Sequence, residues 1–164
     1  MSPSERDTQS AVERQSAEAE LSTLIARFAP AHRELIDASR RWLRERLPTA
    51  YEVVYEYRDF FVISYSPSEH GYEGVLALRG SEHGVKLYFN SGKKLQDPAK
   101  LLQGPGKQAR WITLEGEATL ARPAVVSLID ETIALSRVPF ASAGSGWVVS
   151  RSAAAKKPRR REPA

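Results

Sequence analysis

Cysteine is absent from the 164 residues of the chain. Disulfides, thiolate metal sites, iron–sulfur clusters and a cysteine nucleophile are therefore all excluded. The sequence also lacks an apolar run near the roughly 20 residues that a membrane helix needs, and its amino-terminal residues lack the apolar stretch of a signal peptide. We therefore expect a cytoplasmic protein with no membrane partner, long enough for a single domain with its own core.

Recognisable catalytic motifs are missing as well. The histidines are far apart in the sequence and show no HExxH spacing: His32, His70 and His83. Ser145 lies in Gly-Ser-Gly, but without the preceding strand and following helix that a nucleophile elbow requires. Glu52 and Glu56 share one strand face about 13 Å apart at 3.3 Å per residue, too far for a carboxylate dyad. We therefore expect neither an enzyme nor a bound cofactor, and we assign no metal site.

Positive charge is concentrated at the carboxyl end of the sequence. The last fourteen residues contain six of the 24 cations and one of the 20 acids, so residues 1–150 carry a net charge of −1. A tail of Ala, Lys, Pro and Arg has nothing to bury, which predicts disorder. The tail is either a solubilising segment or a weak, salt-dependent nucleic-acid contact. The cations that would make such a contact are Lys156, Lys157, Arg159, Arg160 and Arg161.

Helical spacing dominates the first third of the chain. Apolar residues recur at Leu21, Leu24, Ile25 and Phe28 until Pro30 ends the pattern. A second amphipathic helix follows, and its apolar stripe consists of Leu35, Ile36, Ser39, Trp42, Leu43 and Leu47. We expect Trp42 and Leu43 to pack beneath a sheet.

The apolar period then changes to two, which is typical of strands. The strand-like segments are residues 51–57, 60–65, 75–79, 85–89 and 109–114. A closing helix begins at Pro123, and its apolar face contains Val126, Ile129 and Ile133. This order predicts an α+β domain with two N-terminal helices, an antiparallel sheet of about five strands covered on one face, and a closing helix. The domain would span residues 13–140, between a disordered segment at 1–12 and a flexible segment with the basic tail at 141–164.

Alternation in the fourth strand separates two kinds of side chain. Val85, Leu87 and Phe89 should face the helices, which sends Lys86 and Tyr88 to the opposite face of the sheet. Polar and aromatic groups should therefore collect on the open face. That face is either a binding surface or simply solvated.

The connection before the fifth strand, residues 92–110, is rich in glycine, proline and cations. Asp97 and Pro98 favour a turn, and Leu101 and Leu102 are apolar enough to anchor it in the core. The loop either presents backbone N–H groups and cations to an anion, or only carries the chain between strands. The residues that would face an anion are Gly104, Gly106, Lys107 and Arg110. The spacing is not that of a nucleotide P-loop.

The same connection carries a long ordered pattern, G-x-x-L-x-D-P-x-x-L-L-x-G-x-G-K-x-x-R. Its fixed positions are Gly92, Leu95, Asp97, Pro98, Leu101, Leu102, Gly104, Gly106, Lys107 and Arg110. Together with the order of elements, it resembles the YdhG-like family of bacterial domains of unknown function over roughly residues 21–137. The resemblance implies a frataxin-like fold, and some members of that family are described as iron chaperones.

Three functions remain open. The first is a small non-catalytic binding domain whose open sheet face and loop hold an anionic small molecule or partner, through Lys86 and Tyr88 together with the four loop residues. The second, implied by the resemblance, is an intracellular iron chaperone. Its candidate carboxylates are Glu13, Glu18, Glu20, Glu34 and Asp37, in a pattern that is also typical of a solvated helix face. The third is nucleic-acid association through the tail.

Overall fold

The predicted helices and strands occur in the predicted order, together with an additional short helix and a sixth strand, in a computed structural model that describes residues 3–151, with side chains from residue 11. The helices are α1 (Pro3–Ala26), α2 (Pro30–Arg46), α3 (Glu117–Ala121) and α4 (Pro123–Ala134). The strands are β1 (Tyr51–Glu56), β2 (Phe60–Ser66), β3 (Leu76–Ser81), β4 (Gly84–Phe89), β5 (Arg110–Leu114) and β6 (Val148–Ser150). Two short 3₁₀ turns, Gly71–Glu73 and Gly92–Lys94, lie in the connections. Helical residues 3–12 fall in the segment for which the sequence predicts disorder, and the domain boundaries stay predictions. The cations at 156–161 lie outside the described residues.

Helix α2 begins at a proline because the first helical position needs no backbone N–H donor. Its buried residues are Ile36, Ala38, Ser39 and Leu43. Leu43 is fully enclosed in the core, as predicted, whereas Trp42 is only partly buried at the core's margin. The ring of Trp42 instead lies 5.9 Å from the guanidinium carbon of Arg46.

The six strands form one sheet in the order β5-β4-β3-β2-β1-β6. Strands β1 to β5 pair antiparallel with their sequence neighbours, as the sequence predicts. Helix α4 buries Val125, Leu128, Ile129 and Thr132, so its apolar face is rotated from the predicted one and Val126 and Ile133 are only half-buried.

The sheet is mixed, which corrects the expectation of a purely antiparallel sheet of about five strands. Strand β6 comes from the segment 141–164 that the sequence predicts to be flexible, and it pairs parallel with β1. Gly146 makes this possible, since a Cβ there would stand 2.0 Å from the carbonyl oxygen of Ala50. The Glu52 N–H donates to the Trp147 carbonyl, and the Arg151 N–H donates to the Val54 carbonyl. The chain is thus anchored up to residue 151.

The core lies between one face of the sheet and the helices. Val85, Leu87 and Phe89 of β4 have no more than 1% of their surface exposed, which confirms the predicted orientation of this strand. Leu21 of α1, Ile36 of α2 and Ile129 of α4 belong to the same cluster. The opposite face of the sheet, called the outer face below, therefore carries the alternate residues of each strand.

Candidate functional site

The acidic side chains of the strands all lie on the helix side of the sheet. The acidic residues of β1, Glu52 and Glu56, point to the helices, where they meet Arg40 and Arg27. Arg79 of β3 and Lys86 of β4 occupy outer-face positions directly opposite each other in the register. Among the six strands, all within the described residues, no carboxylate occupies an outer-face position. The outer face is therefore cationic although residues 1–150 carry a net charge of −1.

Beneath the sheet, Glu52 is almost fully buried and satisfied by three donated hydrogen bonds. Arg40 donates from Nε to Oε2 at 3.0 Å and from Nη2 to Oε1 at 2.9 Å. The Tyr65 hydroxyl donates to Oε2 at 2.9 Å. Burial lowers the pKa of Arg40, but hydrogen bonding to Glu52 and its charge raise it more, so the net shift is upward. Because these hydrogen bonds engage the Glu52 carboxylate in holding α2 against the sheet, we assign Glu52 a structural role.

Part of the outer face is covered by the connection between β2 and β3. The Ser64 hydroxyl donates to the Gly71 carbonyl at 2.9 Å, and the Ser66 hydroxyl donates to the His70 carbonyl at 2.7 Å. Val53 is consequently 0% exposed although it points away from the helices. The uncovered part is the region over strands β2 to β5.

That uncovered region holds a cluster of three aromatic rings and two cations, which we call the outer-face cluster. Its members are Phe60, Arg79, Lys86, Tyr88 and Trp111, all half-buried. The guanidinium carbon of Arg79 lies 4.0 Å from the centroid of the Phe60 ring, and its Nη1 donates to the Tyr88 hydroxyl at 3.3 Å. Lys86 Nζ lies 5.0 Å from the centroid of the Trp111 ring, and Tyr88 and Trp111 are 5.4 Å apart. Each cation is thus held by ring contacts, which leave its charge uncompensated.

Two like charges opposite each other on neighbouring strands destabilise a sheet, since their Cβ atoms lie about 5 Å apart. Arg79 and Lys86 have this arrangement. Within residues 11–151, neither forms an ion pair with a carboxylate. An anion bound between Arg79 and Lys86 would be attracted by both cations and would also screen their mutual repulsion.

The glycine-rich connection meets this cluster at Trp111. Gln103 and Trp111 exchange two backbone hydrogen bonds, at 2.8 and 2.9 Å, which places the next residue against the indole. Gly104 has φ +122°, and a Cβ there would stand 2.4 Å from Trp111 Cζ3. Gly104 thus supports the ring from one side. Of the predicted site residues, the structure brings together Lys86, Tyr88 and Gly104, all around Trp111.

The other predicted loop residues are placed differently. Arg110 pairs with Phe89 and so points to the helix side of the sheet, and its Nη1 donates to the carbonyls of Gly106 and Ala109. Gly106 and Lys107 are exposed. The structure therefore does not bring Arg110 to Lys86 and Tyr88, and the role of Arg110 in binding stays a prediction.

The first half of the same connection forms a turn that is stabilised by side-chain hydrogen bonds. The Asp97 carboxylate accepts hydrogen bonds from the N–H groups of Leu101 and Leu102, each at 2.9 Å. Both leucines pack against the core, as the sequence predicts. Lys100 has φ 54°, in the left-handed region, which this tight turn imposes. The position of Gly104 beside Trp111 is thus held from both ends.

Carboxylates on α1 and α2 do not form a shared ligand set in the described part of the chain. Glu18 lies 3.7 Å from Arg40, and Glu20 accepts a hydrogen bond from the Ser150 hydroxyl. Within residues 11–151, no group of three or more His, Asp or Glu side chains has the geometry to hold a metal ion. The helices of the described residues include none that is both long and apolar enough to cross a membrane.

Comparisons with known proteins give no further assignment. No family model, curated protein or solved structure matches the chain. The resemblance to the YdhG-like family and the frataxin-like fold therefore stay predictions, and the structure itself shows an α+β architecture with a six-stranded mixed sheet.

Sequence reasoning missed three members of the outer-face cluster: Phe60, Arg79 and Trp111. The sequence contains only part of the signal. Alternation assigns the residues of one strand to two faces, but the faces of neighbouring strands can be matched only once their pairing is known. The pattern of residues 109–114 indicates only a strand, and the outward position of Trp111 depends on its pairing with Tyr88.

Proposed function

We propose that this protein is a non-catalytic binding domain that holds an anionic ligand on the outer face of its sheet. The outer-face cluster is the site, with Arg79 and Lys86 as the two cations that contact the anion. The observation that carries the proposal is the pair of cations at opposite positions on two neighbouring strands, Arg79 and Lys86. Neither cation forms an ion pair with a carboxylate within residues 11–151. Such a pair of like charges costs stability in isolation and is retained here beside aromatic rings that hold both cations in place.

The cluster is suited to a ligand that carries both a negative charge and a flat apolar part. A charge-assisted hydrogen bond contributes about 1.5–3 kcal/mol, roughly twice the neutral value. Rings of Phe60, Tyr88 and Trp111 add apolar surface that a bare inorganic anion would leave exposed. The cluster carries no nucleophile with an adjacent base, so binding is the function that we infer.

Calorimetric titration of the full chain with inorganic tripolyphosphate tests the proposal. The double variant Arg79→Gln, Lys86→Gln should bind at least tenfold more weakly than the wild type. A matched variant, Arg41→Gln, Arg137→Gln, loses the same net charge at exposed positions away from the cluster and should keep wild-type affinity. Equal losses in both variants would mean that net charge, and not this site, governs binding. Circular dichroism of each variant checks that the fold is intact.

The iron-chaperone alternative has its own test. Titration with ferrous iron under anaerobic conditions should show no saturable micromolar site if the outer face is the functional surface. Uptake that disappears when Glu18, Glu20, Glu34 and Asp37 are changed to their amides would instead favour the chaperone. These four residues lie on α1 and α2, away from the outer-face cluster, so the two hypotheses are separable by mutation.

A further inference from the structure

The outer-face cluster, together with the neighbouring Tyr57, contains more planar surface than a small anion can use. Tyr57 and Phe60 are stacked, with ring centroids 4.5 Å apart and planes inclined by 16°. Phe60 also contacts Arg79, whose guanidinium carbon lies 4.0 Å from the centroid of the Phe60 ring. Tyr57, Phe60 and Arg79 therefore form a contiguous group of three flat side chains, one of which is a cation.

A second set of flat groups lies across the sheet. Tyr88 and Trp111 pair directly in the register of β4 and β5, with ring centroids 5.4 Å apart. Lys86 lies over the indole. In the register of the sheet, the row that contains Arg79 and Lys86 lies between the row of Phe60 and the row of Tyr88 and Trp111. The two cations therefore separate the two aromatic groups.

From β2 to β5 the cluster crosses three interstrand spacings, or about 14 Å at roughly 4.8 Å each. A four-stranded sheet surface of this size accommodates two or three unstacked bases. Single-stranded nucleic acid is the polymer in which negative charge and flat rings recur together along one chain, and proteins bind it by pairing aromatic or guanidinium platforms with cations. A duplex keeps its bases stacked inside and cannot offer them to such a face.

We propose that the anionic ligand of the outer-face cluster is a segment of single-stranded nucleic acid, two or three nucleotides of which lie across β2 to β5. Bases stack on the platforms formed by Arg79 over Phe60 and by Tyr88 with Trp111, and phosphates contact Arg79 and Lys86. This inference rests on the proposed function and names the ligand class for the same site. It does not require the tail cations at 156–161, which lie beyond the described residues.

Fluorescence anisotropy with a labelled ten-nucleotide thymidylate strand tests the inference on the full chain. The control ligands are an abasic strand of equal length, which keeps the phosphates and lacks the bases, and polyglutamate, which is anionic and has no rings. We expect the thymidylate strand to bind roughly a hundredfold more tightly than the abasic strand, because each of the two stacking platforms contributes about tenfold. Polyglutamate should compete weakly.

Variants locate the contact. Phe60→Leu and Tyr88→Leu remove a ring and keep an apolar side chain. Each should weaken thymidylate binding roughly tenfold and binding of the abasic strand by much less, because Arg79 and Lys86 remain to contact the phosphates. Tyr72→Leu is the matched control, since Tyr72 is 83% exposed in the Gly71–Glu73 turn and lies outside the cluster. Changing the five tail cations at 156–161 to glutamine should reduce salt dependence and keep the preference for thymidylate. Thermal unfolding checks that each variant is folded.

The outcomes separate this inference from the proposed function. Equal binding of thymidylate, abasic strand and polyglutamate, all reduced in the Arg79→Gln, Lys86→Gln variant, would overturn the nucleic-acid inference and leave the anion site standing. Loss of all binding in the tail variant, with no effect of Phe60→Leu or Tyr88→Leu, would also overturn it. Absence of binding to any strand and to tripolyphosphate would contradict both.

Discussion

Arg40 and Glu52 form a two-hydrogen-bond ion pair beneath the sheet, with donor–acceptor distances of 2.9 and 3.0 Å. Only 4% of the Glu52 side chain is exposed, so removal of Arg40 would leave this buried carboxylate with a single cation, the half-exposed Arg44, whose Nε lies 3.6 Å from Oε1. Arg40→Met should therefore lower the free energy of unfolding by about 3–5 kcal/mol. The exposed pair Arg27–Glu56 supplies the control, and Arg27→Met should cost about 1 kcal/mol or less. Urea denaturation measures both, and similar losses in the two variants would contradict the assignment.

Tyr65 should make the fold sensitive to alkali. Burial, and then the negative charge of Glu52, raise the pKa of its hydroxyl well above the ordinary value of 10.0. The unfolded chain therefore releases this proton at lower pH than the folded protein does. The protonated Tyr65 hydroxyl therefore contributes its full stabilisation to the folded protein below about pH 10, and this contribution is lost progressively as the pH rises above that value.

The test of this pH dependence is denaturation between about pH 8 and pH 11, around the ordinary tyrosine pKa. Above pH 10 the free energy of unfolding should fall less steeply in Tyr65→Phe than in the wild type. Tyr72→Phe, at an exposed position, should retain the wild-type slope. Identical slopes in all three proteins would show that Tyr65 does not carry the effect.

Gly104 and Gly106 should respond differently to the same substitution. At Gly104 the backbone has φ +122° and a Cβ would meet the Trp111 ring at 2.4 Å, so Gly104→Ala should cost about 1–3 kcal/mol and displace the indole. At Gly106 the nearest atom to a Cβ is the Ala109 carbonyl oxygen at 3.4 Å, and its φ lies outside the left-handed range. Gly106→Ala should therefore be nearly neutral. Thermal unfolding and tryptophan fluorescence compare the two, and equal costs would exclude a special role for Gly104.

Arg110 should stabilise the loop without contacting the ligand. Its guanidinium donates to two carbonyls of its own connection, so Arg110→Ala should lower stability by about 1 kcal/mol. The affinity for tripolyphosphate should stay within twofold of wild type. A tenfold loss of affinity with unchanged stability would restore the predicted anion-binding role of Arg110.

Local patterns predicted much of this fold. Alternation in β4 assigned Val85 and Lys86 to opposite faces correctly, since the period of two depends only on neighbouring residues. Strand β6 was not predicted, because three residues that pair parallel with a strand about a hundred positions earlier carry no local signal. The sequence also could not predict the direction of the Arg110 side chain, because that direction depends on the pairing of Arg110 with Phe89 and on the carbonyls that the folded loop presents. Trp111 entered the candidate site only when pairing with Tyr88 placed it there.

Chemical-shift mapping of the labelled protein with tripolyphosphate tests the central claim most directly. If the outer face holds the anion, the largest shifts should fall on the indole N–H of Trp111, the guanidinium Nε–H of Arg79 and the backbone amide of Lys86. Amides of α2, which lie beneath the sheet, should move little. Shifts confined to the helices or to the carboxyl-terminal tail, with the Trp111 indole unmoved, would contradict the account.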